Sequence, residues 1–387
     1  MPFNEATIMS NREEFVKLAD APRINIRELC RRFNISPTTG YKWLDRYQVA
    51  ERAGLRERSR KPARSPGRTP SEVEARILAL RQKHPAWGAR KLKRRLADLG
   101  ITGLPSASTV HAILVRNGCI APEEGEKHQA WHRFEHAAPN DLWQMDFKGH
   151  VPMGTSRCHP LTVLDDHSRF ALCLDALPAE DTSSVQSALT AVCRRYGLPW
   201  RMTMDNGSPW GNPSLLPYTA LTLWLIRLGI QVSHSRPYHP QTQGKDERFH
   251  RTLKAELLAR GPLLDAGQAQ SCFDTWRQVY NQERPHEALD MQTPARRYRV
   301  SSRAFPERLP PIEYPAGEVV RRVQGKGEIS FKGQLFDLCQ SLHGHPVALR
   351  PTSTDGLWQV FFCHHHIADI DQRSLSTLKP VPQPFIP

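Results

Sequence analysis

The sequence contains no Cys-X-X-Cys pair; its eight cysteines are scattered from Cys30 to Cys363. Disulfide frameworks and thiolate zinc sites both need cysteines at short, recurring spacings, so neither is expected, and a reducing cytoplasm is. No apolar run approaches the ~20 residues of a membrane span. The start, MPFNEATIMS, lacks the basic-then-apolar layout of a signal peptide. Acids are also in short supply: 39 Asp and Glu stand against 53 Lys and Arg, leaving a net charge of +14 and a pI of about 9.6. Such a surplus speaks about partners, and with a membrane disfavoured it points to nucleic acid. The histidine cluster CHHHIAD (Cys363 to Asp369) has no second ligand cluster. Alternate residues of a strand face opposite ways, so no metal site is expected there.

Proline is abundant, at 32 residues, and divides the chain. In residues 1–55, Leu29 and Phe33 repeat at helical spacing. After a break, Ser36 can cap a second helix, Pro37 suits its first position, and Tyr41, Trp43, Leu44 and Tyr47 continue it. This is a helix-turn-helix layout, with Thr38, Thr39 and Lys42 turned to DNA; a plain helical hairpin shares the pattern. Residues 56–70 form a basic linker whose Arg60, Lys61 and Arg64 suit a minor groove or merely solvent. Residues 71–127 read as a second helix-turn-helix domain. Ser71 and Glu74 make a capping-box pattern. Leu92, Leu96 and Leu99 share a face, with Arg90, Lys93 and Arg94 around it. LPSASTVHAILVRNG follows as a recognition helix, capped by Ser108 or Ser106, with Ser108 and Thr109 toward DNA. Residues 128–140 read as a polar linker.

From residue 141 to 300 strands and helices alternate, the pattern of an α/β sheet covered by helices. DLWQMDFKGH, LTVLDDHSRFALCLDAL (turning at HSR), WRMTMD and IQVSHS read as strands; TSSVQSALTAVCRRYG, the stretch after Pro217 and the stretch after Gly244 read as helices. Residues 301–387 return to β structure. Two hairpins, turning at GKG and TDG, suggest a small β-barrel of about five strands, followed by a Pro-rich tail. The expected fold class is multidomain: all-α helix-turn-helix units, an α/β core, a small C-terminal β-barrel.

The stretch QTQGKDERFH places two adjacent acids in a basic chain, at the start of a helix. Asp146 ends the strand in WQMDFKG, and Asp205 ends the strand in RMTMDNGSPW. With Glu247, these are three acids at strand ends and a helix start, the rim of a sheet where ligands bind. Three converging carboxylates suit two divalent metals. At about 100° per residue, Glu247, His250, Arg251 and Lys254 share one helix face. Phe249, Leu253 and Leu257 lie opposite, and Asp246 points about 100° away from Glu247. A solvated helix face remains the alternative for this stretch alone. Asp165 and Asp166 fall in a hairpin turn and read as structural or as supports behind the site.

WQMDFKG, VLDDHSRF, TMDNGSPW, LGIQVSHSRPYHPQTQGKDERFHRTLKAE and YNQERPHEALDMQTP together resemble bacterial insertion-sequence transposases with a retroviral-integrase-type (DDE) catalytic core on a ribonuclease H-like fold, over residues 141–294. The resemblance implies that Asp146, Asp205 and Glu247 are catalytic and bind two Mg2+ ions, with Mn2+ able to substitute. It implies end cleavage and strand transfer on double-stranded DNA, both the element's terminal inverted repeats and the target. It also implies a homo-oligomer on DNA and a nucleoid-associated, cytoplasmic protein. Lys148, Arg248, Arg251 and Lys254 are candidate backbone contacts, and His239 and Gln241 candidate contacts near the cut. The gap from Asp205 to Glu247 (247 − 205 = 42) is longer than in many members. Two other readings share these features: a non-catalytic DNA-binding repressor or domesticated remnant, and a nuclease acting on RNA hybrids. Two helix-turn-helix units favour duplex DNA over the latter, because the A-form major groove is too narrow to read.

Overall fold

The computed structural model describes residues 8–57, 68–120, 135–211, 216, 218–234, 244–373 and 378–380. The chain divides into two compact units, Met1–Arg68 and Thr69–Pro387.

The first unit holds α1 (Ile8–Ala19), α2 (Ile26–Arg32) and α3 (Pro37–Gly54). Ser36 caps α3, accepting from the Thr39 N–H at 3.2 Å, and Pro37 opens the helix, as expected. The sequence reading began at Ile24 and missed α1, which buries only Phe15 and Val16. These two close a small core with Leu29, Cys30, Trp43 and Leu55. Gly40 lets α3 cross tightly: a Cβ there would come within 2.4 Å of Cys30 Sγ and 2.9 Å of Phe15 Cζ.

The second unit opens with α4 (Ser71–Lys83), α5 (Ala89–Asp98) and α6 (Ala107–Arg116) around Ile77, Trp87, Leu92, Leu96, Ile113 and Leu114. Three sequence expectations are corrected. The Ser71/Glu74 capping box does not form: Pro70 holds the N-cap position, and Glu74 is taken by Arg116 and Asn117 from α6. Ser106, not Ser108, caps α6, accepting from the Thr109 N–H at 3.1 Å. Leu99, just past the end of α5, is 55% exposed.

Then come β1 (Leu142–Phe147), β2 (Val151–Met153), β3 (Ser156–Asp165), β4 (Ala171–Leu177), α7 (Thr182–Tyr196), β5 (Arg201–Met204), α8 (Ala220–Arg227), β6 (Gln231–His234), α9 (Gly244–Glu256), α10 (Ala266–Gln282) and α11 (Pro294–Arg297). β3 lies between β4 and β1, antiparallel to both, while β1, β5 and β6 run parallel. The order β4-β3-β1-β5-β6 with helices on both faces is ribonuclease H-like. One face packs Trp143, Met145, Met202 and Met204 against Val185 and Leu189 of α7 and Leu221 and Leu225 of α8. The other packs Leu164, Ala171 and Leu174 against Phe249 and Leu253 of α9 and Phe273, Trp276 and Tyr280 of α10. Asp165 and Asp166 are indeed structural. Asp165 accepts from the Asn140 and Ser168 backbone N–H groups at 2.7 Å each, and Asp166 from Gln144 and His136 at 2.9 Å each.

The C-terminal strands are β7 (Val319–Arg322), β8 (Glu328–Phe331), β9 (Gln334–Asp337), β10 (Pro346–Pro351), β11 (Leu357–Phe362), β12 (His365–Asp371) and β13 (Leu378–Pro380). They do not form the closed barrel anticipated from the sequence. Five make an open antiparallel sheet, β13-β12-β11-β10-β7, and β8-β9 is a separate hairpin. The hairpin expected at GKG is also redrawn. β7 pairs across the sheet with β10, and β8 turns at Lys332 and Gly333 onto β9, burying Ile329, Phe331 and Phe336.

Candidate active site

Strand alternation places the first two acids. Trp143 and Met145 enter the α7/α8 core, so Gln144 and Asp146 emerge on the α9 face. On β5, Met202 and Met204 enter the same core, so Thr203 and Asp205 emerge with them. β1 and β5 pair in parallel with Gln144 opposite Thr203, and each acid follows two residues after that pair. Glu247 comes from the first turn of α9 and is exposed. The three charges feel one another: Asp146 is pushed up to about 7, first by burial, then by Asp205, with Glu247 adding to the repulsion.

The ends of the two strands are fastened together. Phe147 stacks on Trp210, centroids 5.0 Å apart, and the Trp210 indole N–H donates to Asp205 Oδ1. The Gly207 N–H donates to the same oxygen at 2.9 Å, and His234 Nδ1–H to the Asp205 carbonyl at 2.7 Å. Among the described residues, no three His, Cys, Asp or Glu side chains lie close enough to share one ion. Asp146, Asp205 and Glu247, expected to converge, do not form such a group.

Thr162 escaped the sequence reading, and His250 and Asp246 were named there without their burial. Thr162 faces Asp146 across the strand pair, its hydroxyl donating to the Asp146 carbonyl at 2.9 Å. His250, expected on the outer helix face, is buried, with Nε2 2.9 Å from Thr162 Oγ1. Its pKa falls to about 4, by burial and then by Lys148. Its Nδ1 lies 3.9 Å from Asp146 Oδ2. That separation is too long for a hydrogen bond, and both groups are driven neutral, so this is not an ion pair. Asp246, expected to point elsewhere, is fully buried, both oxygens lacking a hydrogen-bond partner. Its pKa is well above the usual range, through burial and then the charges of Asp146 and Asp166. Beside it, the Lys245 ammonium pairs with the Asp166 carboxylate and reaches the Asp166 carbonyl at 3.1 Å.

The anticipated DNA contacts divide. Thr38 and Lys42 on α3, Arg90 on α5, Ser108 on α6, and Arg248, Arg251 and Lys254 on α9 are exposed. Thr39 and Thr109 are half-buried and engaged in helix caps, each with its hydroxyl 2.9 Å from the capping serine. Arg94 is tied to Asp98 at 3.1 Å, one helical turn on, and Lys93 and Lys148 are half-buried. Arg60, Lys61, Arg64, His239 and Gln241 lie outside the described residues. His111, exposed one turn after Ser108 on α6, joins this face and was not anticipated.

Comparison with known proteins matches an integrase core domain at residues 136–240 and 228–294, a helix-turn-helix domain at 11–63 and a homeodomain-like domain at 39–114. Residues 318–377 match the C-terminal domain of IS481 family transposases. An uncharacterized protein of insertion element IS407 from Burkholderia multivorans is 27% identical over 158 residues, 41% of this chain and 55% of that protein. One of insertion element IS476 from Xanthomonas euvesicatoria is 27% identical over 251 residues, 63% of this chain and 69% of that protein. The chain thus spans little more than half the length of the first. Among solved structures, the HTLV-2 integrase catalytic core domain in complex with magnesium is 17% identical and covers 42% of this chain and 99% of that one, with a TM-score of 0.33. Helix-turn-helix domains thus precede an integrase core and an IS481-type domain follows it, the arrangement of an insertion-sequence transposase with a retroviral-integrase-type core.

Proposed function

We propose that this chain binds the ends of its insertion sequence and catalyses metal-dependent end cleavage and strand transfer into target DNA. One observation carries the reading: Asp146 and Asp205 each follow, by two residues, a paired position of neighbouring parallel strands, and Glu247 from the covering helix adds to the charge that raises Asp146 to about 7. Such a cluster holds more negative charge than its surroundings neutralise. Its hard oxygen donors fit Mg2+, two ions in all, with Mn2+ able to substitute. When bound, such ions supply the charge neutralisation that an in-line displacement at phosphorus requires.

The protein's own work is positioning. The Phe147–Trp210 stack holds the two strand ends in register. The exposed Arg248, Arg251 and Lys254 grip the DNA backbone beside the acids, and Thr38, Lys42, Ser108 and the other exposed helix-turn-helix residues read the ends. Joining two ends to one target calls for at least a dimer on DNA. The protein acts in the cytoplasm, at the nucleoid; no helix among the described residues is long and apolar enough to cross a membrane.

The test is a cleavage and strand-transfer assay on labelled end DNA with Mg2+ or Mn2+, run beside a binding assay. Asp146→Asn, Asp205→Asn and Glu247→Gln should each bind normally and lose several orders of magnitude in both reactions. Wild-type protein that binds ends but never cuts them would make it a repressor instead.

A further inference from the structure

The Thr162 hydroxyl has one hydrogen, and it is given to the Asp146 carbonyl at 2.9 Å. The same oxygen sits 2.9 Å from His250 Nε2. With its hydrogen spent, Thr162 can only accept there, so Nε2 carries the ring proton. The neutral imidazole is left with a bare lone pair on Nδ1, and Nδ1 lies 3.9 Å from Asp146 Oδ2. The Nδ1 lone pair and Asp146 Oδ2 thus face each other, in a pocket where His250 and Thr162 are both buried, with no hydrogen bond between them. A shared proton would draw them to about 2.7–2.9 Å. A metal ion suits the wider gap, since two bonds of about 2.1 Å reach as far as about 4.2 Å.

We infer that His250 is a nitrogen ligand of the cation site, sharing one ion with Asp146, with Thr162 fixing the tautomer that makes it one. This rests on the function proposed above and deepens it. The arrangement has the form metal sites favour, a ligating imidazole whose other nitrogen donates to a fixed acceptor. Here that acceptor is itself hydrogen-bonded to the backbone of the neighbouring ligand. His250 lies one helical turn after Glu247, so α9 would present an oxygen and a nitrogen to the same place.

The experiment uses the full chain and Mn2+ alone, read by pulsed electron paramagnetic resonance for nitrogen bound to the ion. Wild-type protein should show imidazole coupling that changes when its histidines carry nitrogen-15. His250→Gln should lose the coupling and bind Mn2+ about tenfold or more weakly. His250→Asp, which offers an oxygen, should bind Mn2+ without nitrogen coupling. If Mn2+ binds wild-type protein, is lost in Asp146→Asn, and shows no nitrogen coupling, His250 is not a ligand while the function proposed above stands. If Asp146→Asn leaves Mn2+ binding unchanged, the reading of the site falls and this inference with it. The wild-type spectrum decides even if a variant fails to fold.

Discussion

Glu247 and Asp246 are neighbours in sequence with opposite surroundings, and substituting each should have opposite effects. Glu247 is exposed on the rim, so Glu247→Gln removes a charge without disturbing Phe249 or Leu253 beneath it. DNA affinity should hold or rise slightly, because a negative charge beside Arg248 and Arg251 is gone, while cutting collapses. Burial and then the charges of Asp146 and Asp166 push Asp246 toward its protonated form, which Asn resembles. Asp246→Asn should keep activity within a few-fold and leave stability equal or slightly raised, measured by the same cleavage assay and a thermal melt. A dead Asp246→Asn with a working Glu247→Gln would mean that the roles are reversed. Helical arithmetic on the sequence put Phe249 and Leu253 on the buried side correctly but turned His250 outward and Asp246 aside. It assumed one buried stripe. α9 instead lies against the sheet at Thr162 and against α10 at Trp276, and its buried arc widens to take in Asp246, His250 and Glu256.

The first turn of α9 is anchored by the Lys245–Asp166 pair, and Asp166 is itself held by Gln144 of β1 and the His136 backbone. Lys245→Ala should therefore loosen the turn that carries Glu247 without touching any DNA-facing residue. The expected result is a fall in cleavage rate of about 10²-fold with end binding unchanged; normal cutting would show that the turn is held by other means. A second element carries a pH response. His84, after α4, stacks on Trp87 at 3.9 Å, and its pKa drops to about 4, mainly through burial, then Lys83. The folded state therefore resists protonation that the unfolded chain accepts. The stabilisation is complete above about pH 6.5 and is lost as pH falls toward 4, by about 3 kcal/mol at most. His84→Phe keeps the stack, and its melting temperature should change less than that of wild type over that window. At this scale the alternation in WQMDF and RMTMD was enough to place both acids on one face, because strand period is a local property. The C-terminal pairing was not legible, since nothing in VVRR says that its partner is PVALRP beyond an inserted hairpin. The open sheet follows from that pairing.

Across the whole molecule, the net charge of +14 points to electrostatically held DNA, and each of the two helix-turn-helix units offers its own exposed face for it. The second helical unit is joined to the core by Arg95–Glu283 at 2.9 Å, Arg296–Asp98 at 3.4 Å and Lys83–Glu283 at 3.9 Å, with Val279 packed on its apolar cluster. Ion pairs of this partly exposed kind contribute little each, about 0–1 kcal/mol, whereas Ile77, Trp87, Leu92 and Ile113 form a core of their own. Both helical units should thus survive removal of the core. A fragment ending at Lys127 should bind element ends in preference to other DNA. The log of its affinity should fall linearly with log salt, by about 0.9 for each phosphate contacted. Its melting temperature should sit only slightly below that of the same region in the full chain. Gel-shift titrations on end and scrambled DNA at several salt concentrations would measure this. If the fragment shows no preference while Asp141–Pro387 alone does, end recognition lies in the core, and the exposed faces of α3 and α6 serve another purpose.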